Sequence, residues 1–313
     1  MSMLRTIILC PYFNDEVALN SFLPALEDVT RRLQNEEVSL IIVNDGSPGL
    51  KFSTCLPNTV IHLHRNVGHQ KAIAIGLSYI HHHISFDRVI TMDCDGEDPP
   101  EDIVQLSRQA ASGDQIVVAK RMSRQEGNRF RFFYQVYKVL FFVLTGKKIS
   151  FGNFMLLPRP HVDKLVYYSE IWNHLAGTVI KSKIHFSMAP SHRGKRYGGN
   201  SKMSFTSLLL HGLGAIGVFI EIVASRLLVF SLVMIAVSLI AILVVLYIKI
   251  FTTKAIPGWA TTAISSMLIV LLESFLLSLF TIFLYLLFKG QRQFIPAQHY
   301  MDYIRSVETP NND

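Results

Sequence analysis

The residues best suited to chemistry lie together at positions 90–102, Ile-Thr-Met-Asp-Cys-Asp-Gly-Glu-Asp-Pro-Pro-Glu-Asp. The run opens apolar, as a strand does, and Pro99 and Pro100 stop any ladder pairing. Asp93, Asp95 and Glu97 alternate, and alternate residues of an extended chain point the same way. Three carboxylates drawn to one point repel unless a cation or protons neutralise them. An all-oxygen set suits a hard divalent ion such as Mg²⁺ or Mn²⁺. The other reading is a solvated acidic turn in which Asp98 or Asp102 caps the next helix.

The elements that must position this run follow from apolar periodicity. Short β-rich runs at 5–10, 39–43, 60–63, 87–92 and 115–119 alternate with helical patterns, and each is continuously apolar. That pattern predicts an α/β fold with a mostly parallel sheet. Such sheets take ligands beyond the carboxyl ends of their strands. Polar clusters at 11–16, 44–47, 66–71 and 93–97 all fall at such ends. Neither G-x-G-x-x-G after the first strand nor G-x-x-x-x-G-K-[ST] occurs. A bound diphosphate would therefore depend on a metal and on cationic side chains.

Arg121, Arg124, Arg129 and Arg131 follow the fifth strand, and Arg forks match phosphate oxygens. The aromatic stretch at 132–142 reads as a helix, either in the core or against a bilayer interface. Residues 150–157 read as a further strand, with Gly152 permitting close backbone approach. His81, His82 and His83 read as a solvated helix end, because consecutive helical positions point in different directions.

Across 313 residues the charge is uneven. Residues 227–248 carry no charged side chain and 263–288 only Glu273. Both runs exceed the ~20 apolar residues that span a hydrocarbon core. The formal charge of +7 is concentrated just ahead of the first span, which fits lipid headgroups better than a nucleic-acid partner. The first ten residues are too short an apolar run for a signal peptide, so the head is expected to face the cytosol. Cys10, Cys55 and Cys94 lack metal-ligand spacing and fit a reducing compartment. An acid in the second span, Glu273, is compatible with self-association of two or more copies.

The set P-x-x-N-D-E, N-D-G-S, N-x-G-x-x-x-A, D-x-D-x-E-D-P-P-E, G-N-F and G-N-S-K-M-S before paired spans resembles the family 2 inverting glycosyltransferases acting on polyprenyl phosphates. These are the dolichol-phosphate mannose synthases and bactoprenol-phosphate glucosyltransferases. The resemblance implies a GT-A head at 1–200, a juxtamembrane interfacial helix at 201–226, two transmembrane helices at 227–290 and a cytosolic tail at 291–313. It implies transfer from a nucleotide-sugar donor to polyprenyl (undecaprenyl) phosphate at the inner membrane, with membrane lipids as further partners. By that resemblance Pro11, Tyr12, Asn14 and Glu16 frame the nucleotide, Asp45 contacts its base, and Asn66 and Gly68 lie beneath it. Asp93, Asp95 and Glu97 hold Mg²⁺ or Mn²⁺, and Arg121, Arg131, Ser201 and Lys202 receive the acceptor phosphate.

This sequence departs from the family pattern at Asn44, Gly49, Glu97 and Asn153. A processive polysaccharide synthase is disfavoured, because Q-x-x-R-W does not occur. The competing reading from another class is a catalytically inactive membrane scaffold or a partner in sugar-lipid translocation.

Overall fold

The computed structural model describes residues 3–33, 35–110, 114–121, 128–192, 194, 196–198, 205–252, 258–291 and 293–309, with backbone alone at 128–133, 205–209 and 211. The chain divides into two units. The first contains an eight-stranded sheet flanked by helices on both faces.

Its elements begin with β1 (Leu4–Tyr12), α1 (Glu16–Thr30), β2 (Glu36–Asn44), β3 (Asn58–Leu63), α2 (His69–His83) and β4 (Arg88–Thr91). They continue through α3 (Asp102–Ala110), β5 (Ile116–Arg121), α4 (Asn128–Thr145), β6 (Met155–Pro158), α5 (Arg159–Leu165), α6 (Leu175–Lys181), β7 (Phe186–Ser191) and α7 (Phe205–Gly217). The later elements are α8 (Ile220–Phe251), α9 (Trp259–Gly290), α10 (Pro296–His299) and β8 (Ile304–Glu308).

The strand order is β7-β5-β6-β4-β1-β2-β3-β8. β4, β1, β2 and β3 run parallel, while β6 and β8 enter antiparallel. The continuous apolar runs follow from burial on both faces. Ile7, Leu9, Ile41 and Val43 pack under α2, and Ile8, Cys10 and Ile42 pack under α1 and α3. This is the GT-A-type α/β arrangement.

Several local expectations change. The strand anticipated at 150–157 is confined to β6, and a Cβ on Gly152 would meet nothing within 4 Å, so no close approach requires that glycine. The histidine run is not simply solvated: His81 Nδ1 lies 2.7 Å from Asp163 Oδ1, and His83 Nε2 lies 2.7 Å from the Tyr300 hydroxyl. The tail is likewise more than a tail. Phe294 and Tyr303 pack their rings on Trp172, and β8 pairs with β3.

The second unit comprises the end of α4 and the helices α8 and α9. The two long helices have 32 residues each. At ~1.5 Å per residue each exceeds a hydrocarbon core of ~30 Å. Both are long and apolar enough to cross a membrane. Small polar residues face each other between them, with the Ser231 and Ser278 hydroxyls 2.6 Å apart, the pattern of close helix pairing without a hydrophobic driving force. Glu273 lies exposed on α9 rather than between the two helices.

One backbone position holds the β2 and β3 ends together. Gly46 has φ +77, and a Cβ there would stand 2.6 Å from Arg65 C and Asn66 N. Gly49 is also left-handed, at φ +63, but open around its missing Cβ. Gly49→Ala should therefore cost only conformational strain, roughly 1 kcal/mol. Gly46→Ala should add a backbone clash to strain of about 1–3 kcal/mol. Thermal unfolding of the two variants checks the order; equal melting temperatures would contradict the packing described.

Candidate active site

The strand-end segments knit to one another through short backbone bonds. Asp45 N–H donates to Tyr12 O at 2.9 Å, joining the ends of β2 and β1. Asn14, at φ +47, donates its N–H to Ser47 Oγ at 2.8 Å. The buried Asp45 carboxylate accepts from Val67 N at 2.7 Å and Gly68 N at 3.0 Å, which fixes the entry to α2. Burial raises the Asp45 pKa, and those two amide bonds oppose the shift. Tyr12 is buried, Glu16 opens α1 and Asn66 is exposed beside Gly68, whose φ is +96. The Cys94 thiol donates to Pro11 O at 3.4 Å and brings the end of β4 to the same rim.

The acidic run itself departs from the extended form that alternation predicts. β4 ends at Thr91, Asp95 Oδ1 accepts from Glu97 N at 2.9 Å, and Gly96 takes φ +88. This Asx-type turn rotates the positions out of alternation. Asp93, Asp95 and Glu97 consequently do not assemble as a three-carboxylate ligand set. Among the described residues no three His, Cys, Asp or Glu side chains gather as metal ligands.

Two carboxylates still carry the electrostatic signature of a cation site. Asp93 Oδ1 is buried and accepts no hydrogen bond among the described residues, although His69 Nε2 lies 3.2 Å away. Desolvation, then the neighbouring Asp98 charge, pushes the Asp93 pKa to about 7. Desolvation and Asp93 push Asp95 to about 6. Burial lowers the pKa of His69, whose Nε2 also lies 3.1 Å from Asn153 Nδ2. Such a pair fits a divalent ion that takes one or two carboxylates and completes its shell from water and substrate phosphate.

Cationic side chains surround the turn. Arg121 Nη2 pairs with Asp98 Oδ1 at 2.9 Å, and Asp98 Oδ2 accepts from Asp93 N at 3.1 Å. Arg196 Nη1 pairs with Asp95 Oδ2 at 2.6 Å, and its Nη2 bonds Asp15. The backbone around it is laid against the acidic turn: Gly194 N donates to Glu97 O at 3.1 Å and Tyr197 N to Asp95 O at 2.9 Å. A Cβ on Gly194 would stand 2.1 Å from Gly96 O, so only glycine permits this approach.

Of the acceptor-phosphate candidates, Arg121 is thus tied to Asp98. Arg131 lies on α4 with only its backbone described, and Ser201 and Lys202 lie outside the described residues, as does Arg124. Sequence patterns mark neither His69, Asp98 nor Arg196 as a site residue. The R-G-K-R run at 193–196 gives no sign that Arg196 reaches both acidic motifs.

The family described as "Glycosyl transferase family 2" matches residues 7–163. An uncharacterized glycosyltransferase, YkcC, of Bacillus subtilis (strain 168) is 26% identical over 266 residues, covering 81% of this chain and 80% of that protein. An undecaprenyl-phosphate 4-deoxy-4-formamido-L-arabinose transferase of Yersinia pestis (strain Pestoides F) is 27% identical over 221 residues, 66% of this chain and 64% of its own. The chain thus spans just under two thirds of that transferase. The structure of glucosyl-3-phosphoglycerate synthase from Mycobacterium tuberculosis with Mn²⁺, UDP-glucose and glycerol 3-phosphate superposes with a TM-score of 0.50. It shares 13% identity over 69% of this chain and 79% of that one, a likeness of fold.

The raised pKa values set a pH dependence for the metal-free protein. Asp93 at about 7 and Asp95 at about 6 exceed the ordinary carboxylate value. Between that value and the raised one the folded state binds more protons than the unfolded state, so stability falls as pH rises from about 4 to about 7. Asp93→Asn should match wild type near pH 4 and melt higher at pH 7.5. A lower melting temperature at pH 7.5 would contradict the assignment.

Proposed function

Because the chain belongs to glycosyl transferase family 2, we propose that it transfers a sugar from a nucleotide-sugar donor, UDP-linked in the leading case, to polyprenyl phosphate with inversion. The observation that carries this reading is Asp93 Oδ1, buried without a hydrogen-bond donor among the described residues, beside Asp95 on the rim where β1, β2 and β4 end. Asp93 and Asp95 would hold Mg²⁺ or Mn²⁺. Bound there, the ion would neutralise charge building on the leaving diphosphate.

The remaining roles belong to the protein. Pro11, Tyr12, Asn14 and Glu16 frame the nucleotide, while Asp45 holds the Val67–Gly68 backbone on which it rests. Arg196 keeps Asp95 and Asp15 in fixed orientation. Arg121 and Arg131, with Ser201 and Lys202, receive the acceptor phosphate, and Asp98 orients Arg121. That phosphate is already largely ionised near neutral pH, its second pKa being about 6. It needs positioning in line with the anomeric carbon, and no side chain need deprotonate it.

The name of the Yersinia pestis relative supports undecaprenyl phosphate as acceptor. α8 and α9 are long and apolar enough to cross the bilayer in which such a lipid dissolves, and on this reading the head faces the cytosolic side of the inner membrane.

The direct assay offers a panel of UDP- and GDP-sugars with undecaprenyl phosphate and Mg²⁺ or Mn²⁺. Asp95→Asn should lower turnover about 100-fold or more, the equivalent of roughly 3 kcal/mol; unchanged turnover would sink the metal assignment. Arg131→Ala should raise the KM for the lipid more than for the donor. The opposite split would move Arg131 to the donor side.

A further inference from the structure

A row of side chains crosses the carboxyl rim of the sheet. Tyr12 on β1 is in register with Asn44 on β2, Asn44 with His62 on β3, and His62 with Ser306 on β8. The last of these strands comes from the chain beyond α9.

The polar atoms from Ser47 through Asn44 to His62 Nδ1 are matched. Ser47 N donates to Asn44 Oδ1 at 2.9 Å, which fixes the amide orientation, and Asn44 Nδ2 donates to Ser47 O at 2.9 Å. The same Nδ2 lies 3.1 Å from His62 Nδ1. With an amide NH₂ facing it, Nδ1 must accept, so a neutral ring carries its proton on Nε2. The buried Nε2 faces Glu308 Oε2 at 3.3 Å, off the line of an aligned hydrogen bond. Glu308 stands two residues from Ser306, the diagonal cross-strand place. At the other end Ser47 Oγ accepts from Asn14 N.

We infer that His62 is a positioning residue for the donor site: with Glu308 behind it, it holds Asn44 and hence the 44–47 turn and Asn14 in the geometry that receives the donor's nucleoside. The C-terminal strand is thereby a working part of that corner. The inference rests on the reading that this rim binds a nucleoside diphosphate. Asn44 and His62 are complementary as donor and acceptor. An Asp at 44 would face Nδ1 with an acceptor and break the match unless the ring gained a second proton.

The test uses the purified full chain. UDP binding with Mn²⁺ is measured by calorimetry, and steady-state kinetics separates donor KM from kcat. His62→Leu should weaken UDP binding and raise donor KM about tenfold, with kcat changed less than twofold. His62→Gln, whose side-chain oxygen can accept from Asn44, should restore binding to within about threefold. Asn44→Asp should match His62→Leu, and the double variant should be no worse than either single one, because both cut one relay. Equal loss in His62→Gln and His62→Leu, or UDP binding unchanged in His62→Leu, would overturn the inference.

Hydrogen exchange without nucleotide separates the two readings. The Ser47 and Asn14 amides should exchange about tenfold faster in His62→Leu and at the wild-type rate in His62→Gln. If wild type binds no nucleoside diphosphate, the donor-site reading fails while this exchange pattern still decides the relay. Unchanged exchange in His62→Leu would refute the relay, whatever the nucleotide result.

Discussion

Two half-buried carboxylates at the end of β4 set the terms for the rest of the rim. Asp93 and Asp95 are each pushed toward neutral pH by burial, with the Asp98 charge adding to the shift at Asp93 and the Asp93 charge adding to that at Asp95. A site built this way is unfavourable when empty of positive charge, and the surroundings are arranged as partial answers. Arg196 takes one oxygen of Asp95, and Arg121 is held nearby through Asp98. Asp93 Oδ1 retains no hydrogen-bond donor among the described residues. That leftover acceptor is what suits the site to an added cation and a phosphate-bearing substrate.

The fold turns this local constraint into an assembled rim. Parallel strands buried on both faces must end together, so segments far apart in sequence meet there. Arg196 then pins two of them, reaching Asp95 across 101 positions and Asp15 across 181. The antiparallel β8 closes the edge beside β3 and sets Glu308 behind His62. The donor corner thus depends on chain that lies beyond both long helices.

The frame was legible in the sequence because its signals are local and strong. Continuous apolar runs predicted strands at 39–43, 60–63 and 115–119, and the structure has Glu36–Asn44, Asn58–Leu63 and Ile116–Arg121. The two apolar runs at 227–248 and 263–288 lie within α8 and α9, each extended by polar turns that hydropathy alone does not count. β7 and β8 carry no such signal, because half-exposed edge strands such as Phe-Ser-Met-Ala-Pro-Ser and Ile-Arg-Ser-Val-Glu lack an apolar run. Site geometry was less legible. The D-x-D-x-E spacing implies convergence only if the chain stays extended, and the Asp95 side chain instead bonds its own turn. Arg196 and His62 act through partners that no spacing rule connects to them.

On the proposed reading, Asp93 and Asp95 form a cation site that a nucleoside diphosphate completes. Electron paramagnetic resonance of Mn²⁺ titrated into the full chain tests it without turnover. Bound Mn²⁺ should increase sharply when UDP is added, and Asp93→Asn should abolish that increase. Mn²⁺ binding indifferent to UDP, or undiminished in Asp93→Asn, would contradict the account.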